Sequence, residues 1–93
     1  MTVEVLLPGA LADLVGGRRR LRVDPGAGTV TGLLDALAAE HPVLERRIRD
    51  EAGALRRFVN VYVDGDDVRF TGGVDTALRD GAVVQVLPSV AGG

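Results

Sequence analysis

The residues of this sequence with the clearest chemical potential are its last two, Gly92 and Gly93. The α-carboxyl group that follows Gly93 has an ordinary pKa of about 3.3–3.7, so at neutral pH it is a carboxylate and a poor electrophile until something activates it. Glycine has no Cβ atom, and a Gly-Gly segment can therefore pass through a narrow channel in backbone conformations closed to other residues. The pair predicts a carboxylate that enters the active site of another protein and is activated at Gly93.

Pro88 separates these glycines from the apolar run of residues 82–87. Proline cannot donate to a sheet ladder, and it is therefore predicted to end the last strand. Residues 88–93 carry no side-chain charge, and they can extend over roughly 20 Å at about 3.3 Å per residue. The sequence thus predicts a folded domain over residues 1–87 and a flexible tail over residues 88–93. The alternative is an idle tail that ends in glycine by composition alone.

The composition predicts one globular domain. The chain has 93 residues, of which 46% are hydrophobic and 26% charged, enough for a single modest core. The formal net charge of −2 argues against a nucleic-acid binder, which usually carries a basic excess. No secretory signal is recognisable, and no apolar run approaches the roughly 20 residues that span a bilayer. We therefore expect a cytoplasmic protein that binds neither nucleic acid nor a membrane.

Two residue types with important chemistry, cysteine and lysine, are absent from the sequence. The chain consequently has no thiolate nucleophile, no cysteine-based metal site, no Schiff-base chemistry and no phosphate-loop lysine. Segment 26–31 is predicted to be a plain loop with an N-cap at Thr29. Segment 64–67 is predicted to be a turn, because a calcium loop counted from Asp64 has Asp75 where a bidentate glutamate is needed. We expect no cofactor, no metal and no enzymatic activity in this chain.

Hydrophobic spacing predicts the secondary structure. Alternating patterns indicate strands, and the helical spacing of Val30, Leu33 and Leu37 indicates one main helix that ends at His41, before Pro42. His41, the single histidine, is predicted to be a capping or surface residue. The predicted strands are residues 2–7, 18–23, 58–63, 68–70 and 82–87, and the predicted helical segments are residues 10–15, 30–41, 43–49 and 75–78.

This order of elements predicts an α+β fold. A hairpin, one crossing helix and a further set of strands form a mixed sheet of four to five strands with the main helix packed on one face. That is the order of the β-grasp, or ubiquitin-like, fold. A ferredoxin-like fold is the main rival, but it would need a second full helix before the last strand, and residues 75–78 are too few for one.

The outer face of the predicted sheet indicates a docking surface. Val59, Val61 and Val63 are predicted to pack on the helix, which leaves apolar side chains of the same sheet on the opposite face. Exposed aromatic and aliphatic residues beside a functional tail are typical of a partner interface. The residues assigned to partner docking are Phe58, Tyr62, Leu87, Pro88 and Val90. The run Arg18, Arg19 and Arg20 is a further candidate for contact with an acidic partner.

The ending Leu87-Pro88-Ser89-Val90-Ala91-Gly92-Gly93 resembles the Pro-x-Val-Ala-Gly-Gly terminus of the MoaD/ThiS sulfur carriers. The predicted β-grasp order agrees with that family over the whole chain. The segment Arg57-Phe58-Val59-Asn60-Val61-Tyr62-Val63, with Asp67-Val68-Arg69-Phe70, Gly72-Gly73 and Thr76-Ala77, resembles the CysO-like branch, which serves a route of cysteine biosynthesis.

The resemblance implies a mechanism. An E1-like enzyme would adenylate the Gly93 carboxylate with ATP, and a persulfide or another sulfur donor would convert the mixed anhydride to a thiocarboxylate. In the CysO-like case a pyridoxal-phosphate-dependent cysteine synthase would accept the sulfur, and a metallopeptidase would release cysteine from Gly93. The resemblance places the docking face on Phe58, Tyr62 and Leu87, and it assigns ATP and pyridoxal phosphate to the partners.

Three alternatives remain open. The chain could be the small subunit of a molybdopterin synthase, whose tail inserts into a catalytic large subunit, although that subunit usually has a shorter segment before its last strand. It could be a protein modifier joined through Gly93 to lysines of other proteins. It could also be an interaction domain whose tail is idle.

Overall fold

The computed structural model describes residues 1–88 and shows a five-stranded mixed sheet in the order β2-β1-β5-β3-β4. Its strands are β1 (Val3–Leu6), β2 (Arg20–Val23), β3 (Val59–Val63), β4 (Asp66–Asp67) and β5 (Val83–Pro88), and its helices are α1 (Gly9–Ala12), α2 (Val30–Glu40) and α3 (Pro42–Ile48). Single 3-10 turns lie between these elements at Asp13–Val15, Val68–Phe70 and Gly73–Asp75. β1 and β5 are parallel, and the other neighbouring strands are antiparallel. The predicted β-grasp fold is confirmed.

The first two strands form the predicted hairpin. Val3 and Val5 on β1 and Leu21 and Val23 on β2 alternate into the core, as a period of two requires. The connection between the strands contains α1 and one 3-10 turn, which ends at Gly16 in the left-handed conformation with φ of 71°. Glycine adopts this conformation without steric cost.

The main helix α2 covers one face of the sheet. It begins after Thr29, whose side chain accepts a hydrogen bond from the N–H of Gly32 at 3.1 Å, and it ends at the C-cap His41. Both boundaries agree with the sequence prediction. The core between α2 and the sheet is aliphatic, and its fully buried side chains include Val3, Val5, Val30, Leu33, Leu37, Leu44, Ile48, Val68 and Val84. Among the described residues, no helix has the length and apolar character needed to cross a membrane.

Two ends of the β3–β5 strand pair matter for the site. At the first, which we name the closed end, Val63 lies opposite Val84, and Asp64 Oδ1 accepts the N–H of Val83 at 2.9 Å. Asp64 has a φ of 49°, a conformation that aspartate and asparagine tolerate better than most residues. At the second, the tail end, Val59 lies opposite Pro88, the last residue of β5.

Three segments differ from the sequence prediction. Asp66 and Asp67, predicted as part of a turn, form the short strand β4, which pairs with β3. Residues 68–70, predicted as a strand, form a 3-10 turn because the Asp67 side chain accepts the N–H of Arg69 at 2.9 Å and turns the chain. Residues 75–78, predicted as a helical turn, are mostly extended. Their backbone pairs with the start of α2, where Ala77 forms a bridge to Thr29, and the preceding turn is the 3-10 turn at Gly73–Asp75.

Candidate functional site

The chain passes into its tail from the middle of the sheet. β5 lies between β1 and β3, and both neighbours pair with it. The β1 pairing covers Val83 to Gln85, whereas the β3 pairing continues to Pro88, so β3 alone holds the exposed Pro88 in the sheet. The predicted site residues Val90, Gly92 and Gly93 lie outside the described residues.

The outer face of the sheet carries an apolar strip across its central strands. Tyr62 on β3 lies opposite Gln85 on β5, and Gln85 lies opposite Leu6 on β1. Leu87 lies two residues further along β5 and therefore on the same face. Leu6, Tyr62 and Leu87 are half-buried, and a groove of about 220 Å³ has Leu6 and Leu87 among its lining residues. Two of the predicted docking residues, Tyr62 and Leu87, thus share this face.

Phe58 was expected on the same face, but it lies in a turn before the strand. β3 begins at Val59, and the N–H of Val59 donates to the carbonyl oxygen of Arg56 at 3.1 Å. Phe58 is 58% exposed, and it lines an open groove of about 620 Å³ with Leu55 and Val59. Phe58 and Leu87, two of the predicted docking residues, therefore line different grooves.

The groove beside Phe58 is also lined by arginines, Arg47 from α3 and Arg56 and Arg57 from the turn. We name this surface the arginine groove, which comprises Arg47, Asp50, Leu55, Arg56, Arg57, Phe58 and Val59. Its arginines are exposed, and within residues 1–88 none of the three forms an ion pair. The lining includes one carboxylate, Asp50, whose Oδ1 accepts two backbone N–H groups of its own loop. The groove thus combines a positive rim with an apolar floor.

A further arginine of the same segment, Arg49, is built into the fold. Its Nε donates to Glu45 at 2.7 Å, and its Nη1 lies 2.9 Å from Asp35 on α2. The side chains of Arg49 and Glu45 are only 12% and 11% exposed. Burial opposes the charge of Arg49, but its hydrogen bonds and ion pairs with Glu45 and Asp35 outweigh burial and raise its pKa above the ordinary value. These contacts hold α3 against α2 and so position Arg47 at the rim of the groove.

The two loops considered as ligand sites in the sequence are closed by bonds within the fold. At the start of α2 the N–H of Val30 donates to the carbonyl oxygen of Thr76, and the N–H of Gly32 donates to Thr29. These are the groups that would otherwise bind a phosphate. The Asp64 carboxylate is engaged by the N–H of Val83 and by Arg79. In the part of the chain that the structure describes, no group of three or more histidine and carboxylate side chains is placed to hold a metal ion.

Sequence reasoning missed the arginine groove and named a different arginine run. Arg20 lies on β2 at the far edge of the sheet, 3.8 Å from Glu4, and Arg18 Nε donates to a backbone carbonyl oxygen. Contact of that run with an acidic partner stays a prediction. The local signal for the groove was the pair Arg56-Arg57 directly before an aromatic residue. Arg47 carries no such signal, because only the folded chain brings α3 beside the turn.

Comparisons with known proteins agree with the fold and extend over the whole chain. The sulfur carrier protein CysO of Mycobacterium tuberculosis is 40% identical over 95 residues, which cover 100% of both chains. The small archaeal modifier protein 3 of Haloferax volcanii is 43% identical over 94 residues, again covering 100% of both. A chain in the crystal structure of the Amycolatopsis orientalis BexX/CysO complex superposes with a TM-score of 0.87 at 36% identity, covering 98% of this chain and 99% of that one. The model of the ThiS family matches residues 5–93, and the chain belongs to this family of ubiquitin-like β-grasp proteins.

Proposed function

We propose that this chain is a sulfur carrier that works through a thiocarboxylate at Gly93 and supplies sulfur for cysteine biosynthesis. The observation that carries the proposal is the 40% identity to the sulfur carrier protein CysO over 100% of both chains. The Gly92-Gly93 ending of the sequence supports it, because only an unhindered terminal carboxylate can be threaded into the active site of a partner.

The proposed chemistry has two steps. A carboxylate oxygen of Gly93 attacks the α-phosphorus of ATP in an E1-like partner, so that pyrophosphate leaves and an acyl adenylate forms. Hydrosulfide then attacks the acyl carbon, AMP leaves and the thiocarboxylate forms. If the terminal sulfur of a donor persulfide attacks instead, AMP leaves an acyl disulfide, and a thiol then cleaves its S–S bond to give the thiocarboxylate and a disulfide of the thiol with the donor. Because the chain has no cysteine, the sulfur is carried on the terminal acyl group and not on a side-chain thiol. Both steps take place in a partner, and the chain itself is not an enzyme.

The folded domain presents the tail and is recognised by its partners. β5 pairs with β3 as far as Pro88, which fixes the start of the tail relative to the outer face that carries Tyr62 and Leu87. A partner that binds this face through an apolar contact would receive the tail in a defined direction. The partners are an E1-like adenylating enzyme that binds ATP, a pyridoxal-phosphate-dependent cysteine synthase and a metallopeptidase, all in the cytoplasm. A solved complex of a related carrier, the BexX/CysO complex, supports recognition of this kind by a second protein.

The test of the proposed function relies on the absence of cysteine from the chain, since no side-chain thiol can react with the reagent. The chain is purified from its own host and treated with a thiol-alkylating reagent, after which the intact mass and the C-terminal fragments are measured. We expect a fraction of the chain to carry the label on Gly93, because a thiocarboxylate is the one thiol-like nucleophile available. A variant without Gly93 should remain unlabelled.

The control reaction contains recombinant chain, host extract, ATP and sodium sulfide. Omission of ATP should abolish the label, because hydrosulfide does not displace an unactivated carboxylate oxygen. An entirely unlabelled chain, both in the native pool and after the complete reaction, would contradict the proposal.

A second function is favoured by one observation, the 43% identity to small archaeal modifier protein 3. A modifier would use the same Gly93 adenylate but would transfer the acyl group to lysine side chains of other proteins. Since this chain has no lysine, the chain cannot be its own target. Tryptic peptides of host proteins that carry the C-terminal remnant of this chain on lysine, and that disappear when Gly93 is deleted, would show this function.

A further inference from the structure

We propose that the arginine groove docks an acidic segment with an apolar side chain, contributed by the protein that receives the tail. The inference rests on the proposed function, because it assigns the chemistry of the partner surface that meets the tail end of the sheet. It concerns a surface separate from the outer-face strip of Tyr62 and Leu87, and it assigns Arg47, Arg56 and Arg57 a role in partner recognition.

The rim of the groove is a local excess of positive charge on a molecule whose formal net charge is −2. Three arginines, Arg47, Arg56 and Arg57, line the groove against one carboxylate, Asp50. Arg69, which lies 3.8 Å from Asp67, lines an adjoining groove that shares Leu55 and both arginines of the turn. Arg56 Nε donates to a backbone carbonyl oxygen of α3, which orients its guanidinium and leaves the terminal nitrogens free to donate. Planar guanidinium groups bind carboxylates through paired hydrogen bonds.

The floor of the groove is apolar. Leu55 and Val59 are half-buried and pack against the core, and Phe58 stands beside them with more than half of its surface exposed. A cleft with an aromatic wall and an arginine rim has the composition of an interface hot spot. An apolar side chain from a partner would be buried on this floor while neighbouring carboxylates pair with the rim.

The position and charge of the groove indicate which kind of molecule binds there. Val59, which lines the groove, lies opposite Pro88, from which the tail departs, so the groove adjoins the side of the domain that faces a protein taking up the tail. A nucleic acid is a poorer match, because the chain has 13 acidic residues against 11 basic ones and would repel a polyanion over most of its surface. The positive charge of the rim therefore favours binding of an acidic protein segment.

The test is an NMR titration of the full ¹⁵N-labelled chain with two synthetic peptides. The first peptide is acetyl-Glu-Asp-Leu-Leu-Asp-Glu-amide, and the second replaces every acidic residue with its amide. We expect amide shifts at residues 55–59 with the acidic peptide, and weaker binding as salt is raised. The double variant Arg47→Gln/Arg57→Gln should lower the affinity about tenfold, because the free energies of two exposed ion pairs with the peptide are lost together. Arg22→Gln/Arg79→Gln, which removes the same charge near the closed end, should change it less than about twofold.

Several outcomes would overturn the inference. Equal affinity for the neutral peptide, shifts outside the groove, tighter binding of an octauridylate RNA at the groove, or an equal loss in both double variants would each do so. If Arg47→Gln/Arg57→Gln fails to fold, as judged from its own spectrum, the single Arg57→Gln variant takes its place.

A parallel assay separates this inference from the proposed function. The rate of Gly93 thiocarboxylate formation is measured in host extract with ATP and sodium sulfide, with the carrier at limiting concentration. Equal rates for the wild type and Arg47→Gln/Arg57→Gln would overturn the docking inference and leave the carrier function intact. A wild-type chain that forms no thiocarboxylate would remove the carrier function, and the titration would still decide whether the groove binds an acidic segment.

Discussion

At the closed end of the sheet Asp64 and Asp80 are bonded within the fold, whereas at the tail end Arg47 and Arg57 have no ion pair among the described residues. Asp64 accepts the N–H of Val83 and pairs with Arg79 at 3.2 Å, and Asp80 accepts the N–H of Thr2 at 2.9 Å. At the tail end, in contrast, Arg47 and Arg57 form no ion pair with any residue between 1 and 88. The two carboxylates at the closed end thus bond to the backbone of the fold, while the two arginines at the tail end form no ion pair within residues 1–88.

This difference indicates which end is shaped by binding. A charge that is satisfied within the fold contributes to stability and fixes local geometry, as the Asp64 carboxylate does for the start of β5. An exposed arginine contributes little to stability, but it is free to form a charge-assisted hydrogen bond with another molecule. In the proposed function, the tail end is also the end from which Gly93 reaches its partner. Substitutions should therefore affect stability at one end and recognition at the other.

The largest expected effect on the free energy of unfolding distinguishes Arg49 from Arg47, which lies two residues before it. Arg49→Met should lower the free energy of unfolding by about 2 kcal/mol, because it leaves the buried carboxylate of Glu45 without its partner. Arg47→Met should change it by less than about 0.5 kcal/mol, since that side chain is exposed. The measurement is urea denaturation followed by circular dichroism.

A double variant sharpens this prediction. Glu45→Leu/Arg49→Met removes both buried charges, and it should recover most of the stability lost in Arg49→Met. The raised pKa of Arg49 means that its contribution is fully present below its unfolded-state pKa and is lost only as the pH rises through the higher folded-state value. The difference between Arg49→Met and the wild type should hence not shrink through deprotonation of Arg49 anywhere near neutral pH. An equal loss of stability in Arg47→Met would remove the contrast between bonded and exposed arginines.

The second effect concerns the closed end alone. Asp64→Ala should lower the free energy of unfolding by about 1.5 kcal/mol, because the N–H of Val83 loses its acceptor and alanine must adopt a φ of 49°. Asp64→Asn keeps an acceptor oxygen and tolerates this conformation, so it should cost less than about 0.5 kcal/mol. Thermal denaturation of the three proteins at one pH provides the comparison. If the asparagine variant were as unstable as the alanine variant, the pairing with Arg79 would be the dominant contribution instead.

Much of the fold could be predicted because its determinants are local in sequence. The alternation of Val3, Val5, Leu21 and Val23 and the helical spacing around Leu33 depend only on the repeat of each element, and the structure confirms these patterns. The errors occurred where a side chain overrode the pattern. The alternating residues 68–70 looked like a strand, but the hydrogen bond from Arg69 N–H to Asp67 bends them into a 3-10 turn.

The candidate site was predictable only in part because it is assembled by tertiary contacts. Tyr62 and Leu87 share a face through strand register, which follows from the alternation of their own strands. The arginine groove instead depends on an isolated bridge between Arg49 and Leu55 and on the turn that ends at Val59. Hydrophobic periodicity does not reveal such a bridge. The sequence therefore left Arg47 unassigned and placed Phe58 in the strand, whereas it lies in the turn before β3.

The smallest expected effect on stability comes from the two phenylalanines, which are the only ones in the chain. Phe58 and Phe70 are 58% and 86% exposed, whereas a phenylalanine in a core typically costs about 3–5 kcal/mol when it is truncated to alanine. Phe58→Ser and Phe70→Ser should each change the free energy of unfolding by less than about 0.5 kcal/mol. The matched pair therefore tests recognition at constant stability.

Binding of the acidic peptide should distinguish the two variants. Phe58 lines the arginine groove. Its loss should lower the affinity for the peptide about tenfold, as expected for an aromatic residue at the centre of an interface. Phe70 is the more exposed of the two but does not line the groove, and Phe70→Ser should leave the affinity within about twofold. If Phe70→Ser lowered the affinity for the peptide as much as Phe58→Ser, exposure of an aromatic side chain alone would explain binding. The contrast between the two ends of the sheet would then have no functional meaning.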